Sequence, residues 1–290
     1  MVLRSFAKLN LYLEVLGIRK DGFHSIKTLF ERISLFDEII ITSRRDKKIK
    51  IICNHPDISL DQDNLVYKSA VLLQDCARLK QGVNIKIIKR IPVAAGLGGG
   101  SSNAASVLLG LNRFWKLNLR HDKLIALAKK IGSDVSFFLY NVPFALATGR
   151  GEKIKPLKVL RRVRLWHILV VPKIKVSSAR IYKSWDEWVK KGDLTHSKYN
   201  VKILTLGLRK RGLPLIGQAL FNSLEPITQR LYPEVRLIKD RLKRLGLKSI
   251  LMSGSGPAIF GITSRKEALR LAKELKKEKG FWQIFVVKTV

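Results

Sequence analysis

Residues 90 to 111 read RIPVAAGLGGGSSNAASVLLGL. The apolar, β-branched run VNIKIIKRI at 83–91 leads into it, four glycines (Gly96, Gly98, Gly99, Gly100) occupy its middle, and two serines open an alanine-rich apolar stretch with the character of a helix. The pattern is therefore strand, glycine turn, helix. Glycine lets the backbone take positive φ and approach a ligand closely, so that its N–H groups can converge on one concavity. At a helix N-terminus the dipole adds a positive field, and the combination suits phosphate. No Lys-Ser/Thr follows the last glycine, so this is not a Walker loop. The G-x-G-G-G spacing, with no acidic residue closing a following strand, is not a dinucleotide fingerprint either. Taken alone, the run also fits a tightly packed strand-to-helix turn.

Working outward, strands and helices interleave, which points to an α+β protein. The N-terminal MVLRSFAKLNLYLEVLG alternates polar and apolar residues as a strand does, and lacks the long apolar segment of a signal peptide. FDEIIITS and KIKIIC read as strands, and DNLVYKSAVLLQDCARL as a helix that Asp63 could cap. After the glycine loop come the helices SSNAASVLLGLNRFW and HDKLIALAKKIG, then a strand around FALATG that closes the first half near residue 155. The second half opens with the strand LWHILVVP and continues through KSWDEWVKKGDLTHSKYN, helical in part, to two amphipathic helices. EVRLIKDRLKRLG then leads into SILMSGSGPAIFGI, read as two strands and a small-residue turn, before the helix KEALRLAKELKKEKG and the strand WQIFVVKT. No repeat or low-complexity linker separates the halves, so they should share an extensive interface.

Composition narrows the function classes. The chain of 290 residues carries 56 Lys+Arg against 22 Asp+Glu, a formal charge of +34, which favours anionic partners. The basic residues are dispersed (KKEKG, LRKRG, KDRLKRLG) and not interleaved with aromatics in a nucleic-acid stripe. Cys53 and Cys76 cannot form a disulfide framework, and His24, His55, His121, His167 and His196 lack metal-ligand spacing. Reduced thiols in the cytoplasm and no membrane span are the expectation.

Three ordered stretches, FAKLNLYLEVLG, PVAAGLGGGSSNAA and LMSGSGPAIFGI, together resemble the motifs of the GHMP kinase superfamily. Within it, AKLNL (7–11), DGFHSIKTLF (21–30), DNLV (63–66), GLGGGSSNAA (96–105), GSDVSFF (132–138), GRGE (149–152) and SGSGP (253–257) are similar to the branch that phosphorylates the 2-hydroxyl of diphosphocytidyl methylerythritol, a step of the non-mevalonate isoprenoid pathway. The likeness spans nearly the whole chain and is weakest between residues 183 and 245.

The resemblance implies a two-domain GHMP fold: a ribosomal S5 domain 2-like N-terminal domain over 1–155 with the ATP loop, and a ferredoxin-like C-terminal domain over 156–290. It implies ATP and Mg2+ as cofactors and a small-molecule alcohol as partner, and it leaves monomer and homodimer open. Asp134, which stands in GSDVSFF just past a helix and before an apolar strand, would orient or deprotonate the nucleophile, and Lys8 would sit beside it and the attacking oxygen. Pro92, Val93, Ala94, Ala95, Gly96, Leu97, Gly98, Gly99, Gly100, Ser101 and Ser102 would form the ATP loop, with Lys89 and Asn64 near the nucleotide. On the substrate side Asn10 and His24 would contact the substrate, with His24 hydrogen-bonding the edge of the cytosine, Phe23 and Tyr182 would sandwich the base, and Phe30 would pack beside the pocket. Ser253, Gly254, Ser255 and Gly256 would lie against the substrate phosphates or the glycine loop. The sequence does not fix the magnesium ligands, although the Ser101 and Ser102 hydroxyls are candidate contacts.

Three positions depart from the family pattern: Phe6 for a common proline, Ala94 for a glycine and Phe23 for a tyrosine. Ala94 matters only if its position requires positive φ, where a Cβ costs roughly 1 kcal/mol. Two rivals remain at this stage, a GHMP kinase for mevalonate, homoserine or a sugar, and a nucleic-acid-binding protein. The first has no use for a base sandwich. The second has no use for Lys8, Asp134 and the glycine loop together.

Overall fold

The computed structural model describes residues 1–79, 81–190, 200–278 and 282–290. In the first half β1 (Val2–Ile18), β2 (His24–Arg44), β3 (Ile49–Cys53), α1 (Leu65–Ala77), β4 (Gly82–Ile88), α2 (Gly99–Phe114), α3 (His121–Ile131), α4 (Val135–Leu139), β5 (Phe144–Thr148) and β6 (Lys153–Pro156) follow in order. After a single 3-10 turn come β7 (Trp166–Pro172), α5 (Ser178–Lys190), α6 (Val201–Lys210), α7 (Leu213–Ala219), β8 (Phe221–Asn222), α8 (Glu225–Leu231), α9 (Pro233–Arg244), β9 (Ile250–Met252), β10 (Ile259–Thr263), α10 (Arg265–Lys277) and β11 (Trp282–Lys288). Residues 191–199 of KSWDEWVKKGDLTHSKYN, including His196, and residues 279–280 at the end of KEALRLAKELKKEKG lie outside the described residues.

The strands form a seven-stranded mixed sheet in the order β3-β4-β2-β1-β8, with β5 on β2 and β6 on β5, and a four-stranded antiparallel sheet in the order β11-β7-β10-β9. β2 is long because it serves two neighbours along one edge. Its residues 28–31 pair with β5, and 38–44 pair with β4. FDEIIITS is thus only the second half of a strand that begins at His24. β1 pairs with β2 along its whole length, with register shifts at Phe6/Ala7, Asn10/Tyr12 and Val15/Gly17. Such bulges bend a strand and re-aim its side chains.

One face of the first sheet packs on α1 to α4 through Phe30, Ile39, Ile85, Leu108 and Phe137. A second apolar cluster joins Ala7, Leu9, Leu11 and Phe144 to Leu169, Leu204 and Phe260, so the two halves of the chain share one core. Thr289 returns to pair with Ile33, and β8 adds to β1, which brings C-terminal chain back onto the first sheet.

Three local expectations are corrected. The cap of α1 is Asn64, whose side chain accepts from the Val66 amide, and not Asp63. VSFF after Asp134 is the helix α4 and not a strand; its aromatic residues Phe137 and Phe138 are buried in the helical layer, and packing there overrides their strand preference. Between residues 200 and 245 there are four helices, α6 to α9, where two amphipathic helices were expected.

Candidate active site

A cavity of about 880 Å³ opens between the glycine loop, the middle of β1 and the start of α5. The end formed by the glycine loop is built from backbone. Gly98 holds φ +66 and precedes α2, whose first turn has no side-chain cap. The first amide groups of a helix lack intrahelical partners, and here they open on the cavity wall formed by Gly99, Gly100 and Ser101. Two contacts lock the loop in place. Lys8 N–H donates to the Leu97 carbonyl at 3.0 Å, and Ser253 Oγ donates to the Gly96 carbonyl at 3.0 Å. At Gly96, φ is +75 and a Cβ would stand 2.1 Å from the Ser253 carbonyl oxygen, so no other residue fits.

The SGSGP turn therefore braces the glycine loop. Of its residues, Gly254 and Ser255 reach the cavity wall, while Ser253 and Gly256 do not. Ser255 Oγ is 2.7 Å from Ser178 Oγ at the start of α5. The two serines of the loop also part ways: Ser101 lines the cavity, whereas Ser102 is buried and accepts from Ser5 Oγ at 2.8 Å. Asn64 does not line the cavity, because capping α1 and donating to the Ser59 carbonyl use its amide.

Beneath the loop lies an ionic network that sequence reasoning missed. Lys89 donates to Asp37 Oδ2 at 2.5 Å, and both side chains are almost wholly enclosed. Asp37 also accepts from the Arg90 and Ile91 amides at 2.7 and 2.8 Å and from Asn103 Nδ2 at 2.9 Å. Strand β2, the start of the loop and helix α2 are tied through this one carboxylate. Lys89 lines the cavity beside Gly99, yet its charge is already partnered. No local pattern marks Asp37, whose partners lie more than fifty residues away.

At the centre stand Lys8, Asn10 and Asp134. The period of two along β1 puts Lys8 and Asn10 on one face. Lys8 Nζ donates to Asn10 Oδ1 at 2.5 Å and lies 3.6 Å from Asp134 Oδ2. Asn10 in turn donates to Thr28 Oγ1 at 2.8 Å, and the Phe30 ring lies 5.3 Å from the ammonium. Burial pushes the Lys8 ammonium below the ordinary lysine range, and the Asp134 carboxylate pulls it partly back. Asp134 itself, at the N-cap of α4, is about a third exposed and reachable from the cavity.

The far end is built from side chains. Tyr182 packs on the His24 ring at 4.6 Å between centroids, and Trp185 meets that ring edge-on at 5.7 Å. Burial, with the Asp134 charge adding to it, pushes the Tyr182 phenol above its ordinary range, so it remains neutral. His24 Nε2 is 2.6 Å from Asp186 Oδ1, a partner that sequence reasoning missed. Phe23 lines the cavity and is 52% exposed, with the Arg150 guanidinium 4.6 Å from its ring centroid. The ring that meets Tyr182 is thus His24, and Phe23 presents the open aromatic face.

Comparison with known proteins places this arrangement. Residues 64–142 match the family of GHMP kinases N terminal domains, and residues 205–280 match the GHMP kinases C terminal family. The 4-diphosphocytidyl-2-C-methyl-D-erythritol kinase of Geobacillus sp. (strain WCH70) is 41% identical over 99% of this chain and 96% of its own. A crystal structure of 4-(cytidine 5'-diphospho)-2C-methyl-D-erythritol kinase superposes with a TM-score of 0.80 at 33% identity, covering 99% of both chains. The Methanococcus jannaschii mevalonate kinase, at 17% identity and a TM-score of 0.75 over 100% of this chain and 98% of its own, shares the fold. With identity of this order sustained from end to end, the chain belongs to the GHMP kinases and, among them, to the 4-diphosphocytidyl-2-C-methyl-D-erythritol kinases.

Proposed function

We propose that the chain transfers the γ-phosphoryl group of ATP to the 2-hydroxyl of 4-diphosphocytidyl-2-C-methyl-D-erythritol, with Asp134 as proton acceptor and Lys8 as its electrostatic partner. The observation that carries this reading is the Lys8–Asp134 pair, 3.6 Å apart, in one cavity with the bare N-terminus of α2 and the aromatic wall of Phe23, His24 and Tyr182. Phosphoryl transfer asks the protein mainly for positioning and charge stabilisation. The loop amides from Gly98 to Ser101 would hold the phosphates. The substrate oxygen attacks the γ-phosphorus, its proton passes to an Asp134 carboxylate oxygen, and the bond to the bridging oxygen breaks to release ADP. Lys8, fixed by Asn10, favours the charge that develops on the attacking oxygen.

The donor set fits a magnesium ion that arrives on the nucleotide. Among the described residues no three His, Cys, Asp or Glu side chains are placed to hold a metal. Magnesium commonly keeps several waters and takes its remaining ligands from phosphates and one or two protein groups. Ser101, the loop serine that lines the cavity, would be available to hold such an ion, which would supply charge neutralisation on the triphosphate. A boundary near residue 155 between a nucleotide-binding and a C-terminal domain is supported by the break between β6 and β7, where one sheet gives way to the other.

A coupled ADP-release assay across the cytidylyl substrate, mevalonate and homoserine tests the reading. Turnover should be confined to the cytidylyl alcohol. Comparable kcat/KM on mevalonate or homoserine would overturn it.

A further inference from the structure

The His24–Asp186 pair has no part in the chemistry above. Tyr182, Trp185 and Asp186 stand at i, i+3 and i+4 on α5, so one helix face supplies both aromatic walls of the imidazole and its carboxylate partner. The ring is held from three sides by a helix 162 residues away in sequence. The side chains of His24 and Asp186 are 11% and 25% exposed, and both line the cavity. Among the described residues Nδ1 has no hydrogen-bond partner and is not enclosed, and His24 lines the cavity.

A carboxylate only accepts hydrogen bonds, so Asp186 requires the proton of a neutral imidazole on Nε2. The lone pair is then left on Nδ1. Cytosine presents an exocyclic amine, a donor, where uracil presents a carbonyl, an acceptor. We propose that Asp186 is a positioning residue that sets base specificity: by fixing His24 as the Nε2–H tautomer it makes Nδ1 an acceptor that takes the amine edge of cytosine and opposes the carbonyl edge of uracil. This rests on the cytidylyl-substrate reading above. Two acceptors facing each other leave both unpaired, a loss of about 10–100-fold per contact.

The test pairs kinetics with spectroscopy at pH 8, above the ordinary imidazole range. The kcat/KM values for the cytidylyl substrate and its uridylyl counterpart are compared in wild type, Asp186→Ala and Asp186→Asn, and nitrogen-15 shifts of His24 report its tautomer. The wild type should hold the Nε2–H form and prefer the cytidylyl substrate by roughly 10–100-fold. Asp186→Ala should shrink that preference about tenfold or more, with the loss in the KM for the cytidylyl alcohol and the tautomers mixed. Asp186→Asn, which can donate to Nε2, should shift preference further towards the uridylyl compound. A wild-type Nδ1–H or doubly protonated ring overturns the inference even if a variant fails to fold. So does a cytidylyl-to-uridylyl ratio unchanged in both variants while wild type turns over the cytidylyl substrate. Wild-type turnover of neither nucleotide substrate, with activity on another alcohol, overturns the functional reading and this inference with it.

Discussion

The two ends of the cavity are made differently. At the phosphate end the ligand-facing groups are backbone amides, fixed by the enclosed Asp37 network below and by the Ser253–Gly256 turn beside them. At the base end they are side chains, half of them from the β1–β2 corner and half from α5, and Phe23 remains largely exposed. A phosphate is much the same in every nucleotide, so a rigid backbone nest can serve it. A base is recognised by an edge and a face, which takes side chains that can be exchanged.

The comparison breaks most sharply at the reacting centre, which belongs to neither end. Asp134→Asn should lower turnover by about 10²–10⁴-fold while ATP affinity stays close to wild type, because the amide cannot accept the proton and the loop is untouched. Single-turnover rates with a parallel ATP titration check this. Equal losses in both would mean that Asp134 supports the nucleotide end instead.

Next in size is the foundation of the phosphate end. Asp37→Ala would leave Lys89 without its partner and remove the acceptor for the Arg90 and Ile91 amides. Breaking a buried pair in this way costs about 3–5 kcal/mol, so the variant should unfold at clearly lower denaturant concentration. Any folded fraction should lose ATP binding before it loses the cytidylyl alcohol. Unfolding at the wild-type midpoint would show that the network is not a foundation at all.

The same contrast decides how far the sequence could be read. Gly96 and Gly98 are visible because close approach and positive φ demand one residue type, and that demand is written locally. Lys8 and Asn10 follow from strand alternation once β1 is recognised. Asp37 and Asp186 leave no such trace: each is an ordinary carboxylate in an ordinary strand or helix, and its partner arrives from elsewhere in the fold. α4 misled because a short apolar aromatic run has no period of its own, and the helical layer around Phe137 settles its form.

At the base end the effects should be smaller and confined to one substrate. Tyr182→Ala should weaken the cytidylyl substrate by about 1–3 kcal/mol, the range for removing an aromatic face at a base, and leave ATP nearly unaffected. Because Tyr182 supports the His24 ring, part of that loss should appear as a looser base preference. Tyr182→Phe keeps the ring and should remain near wild type. Calorimetric titration of both ligands separates this from a folding defect, which would weaken them together.

The smallest expected effect sharpens the reading of the phosphate end, since it concerns a residue that works against its own position. Ala94 holds φ +53 at the mouth of the loop, in the left-handed region that disfavours a Cβ. The residue is exposed, so its methyl group gains little by packing. Ala94→Gly should relieve about 1–2 kcal/mol of backbone strain, and the greater freedom of glycine in the unfolded chain should offset about 0.4–1 kcal/mol of it. The net result is a stabilisation of about 0.5–1 kcal/mol, a rise of roughly 1–3 °C in Tm for a chain of this size, with turnover little changed because the loop already has its shape. A fall in Tm would mean that the entropy of the unfolded chain outweighs the strain at this turn, and the alanine would then be stiffening the loop.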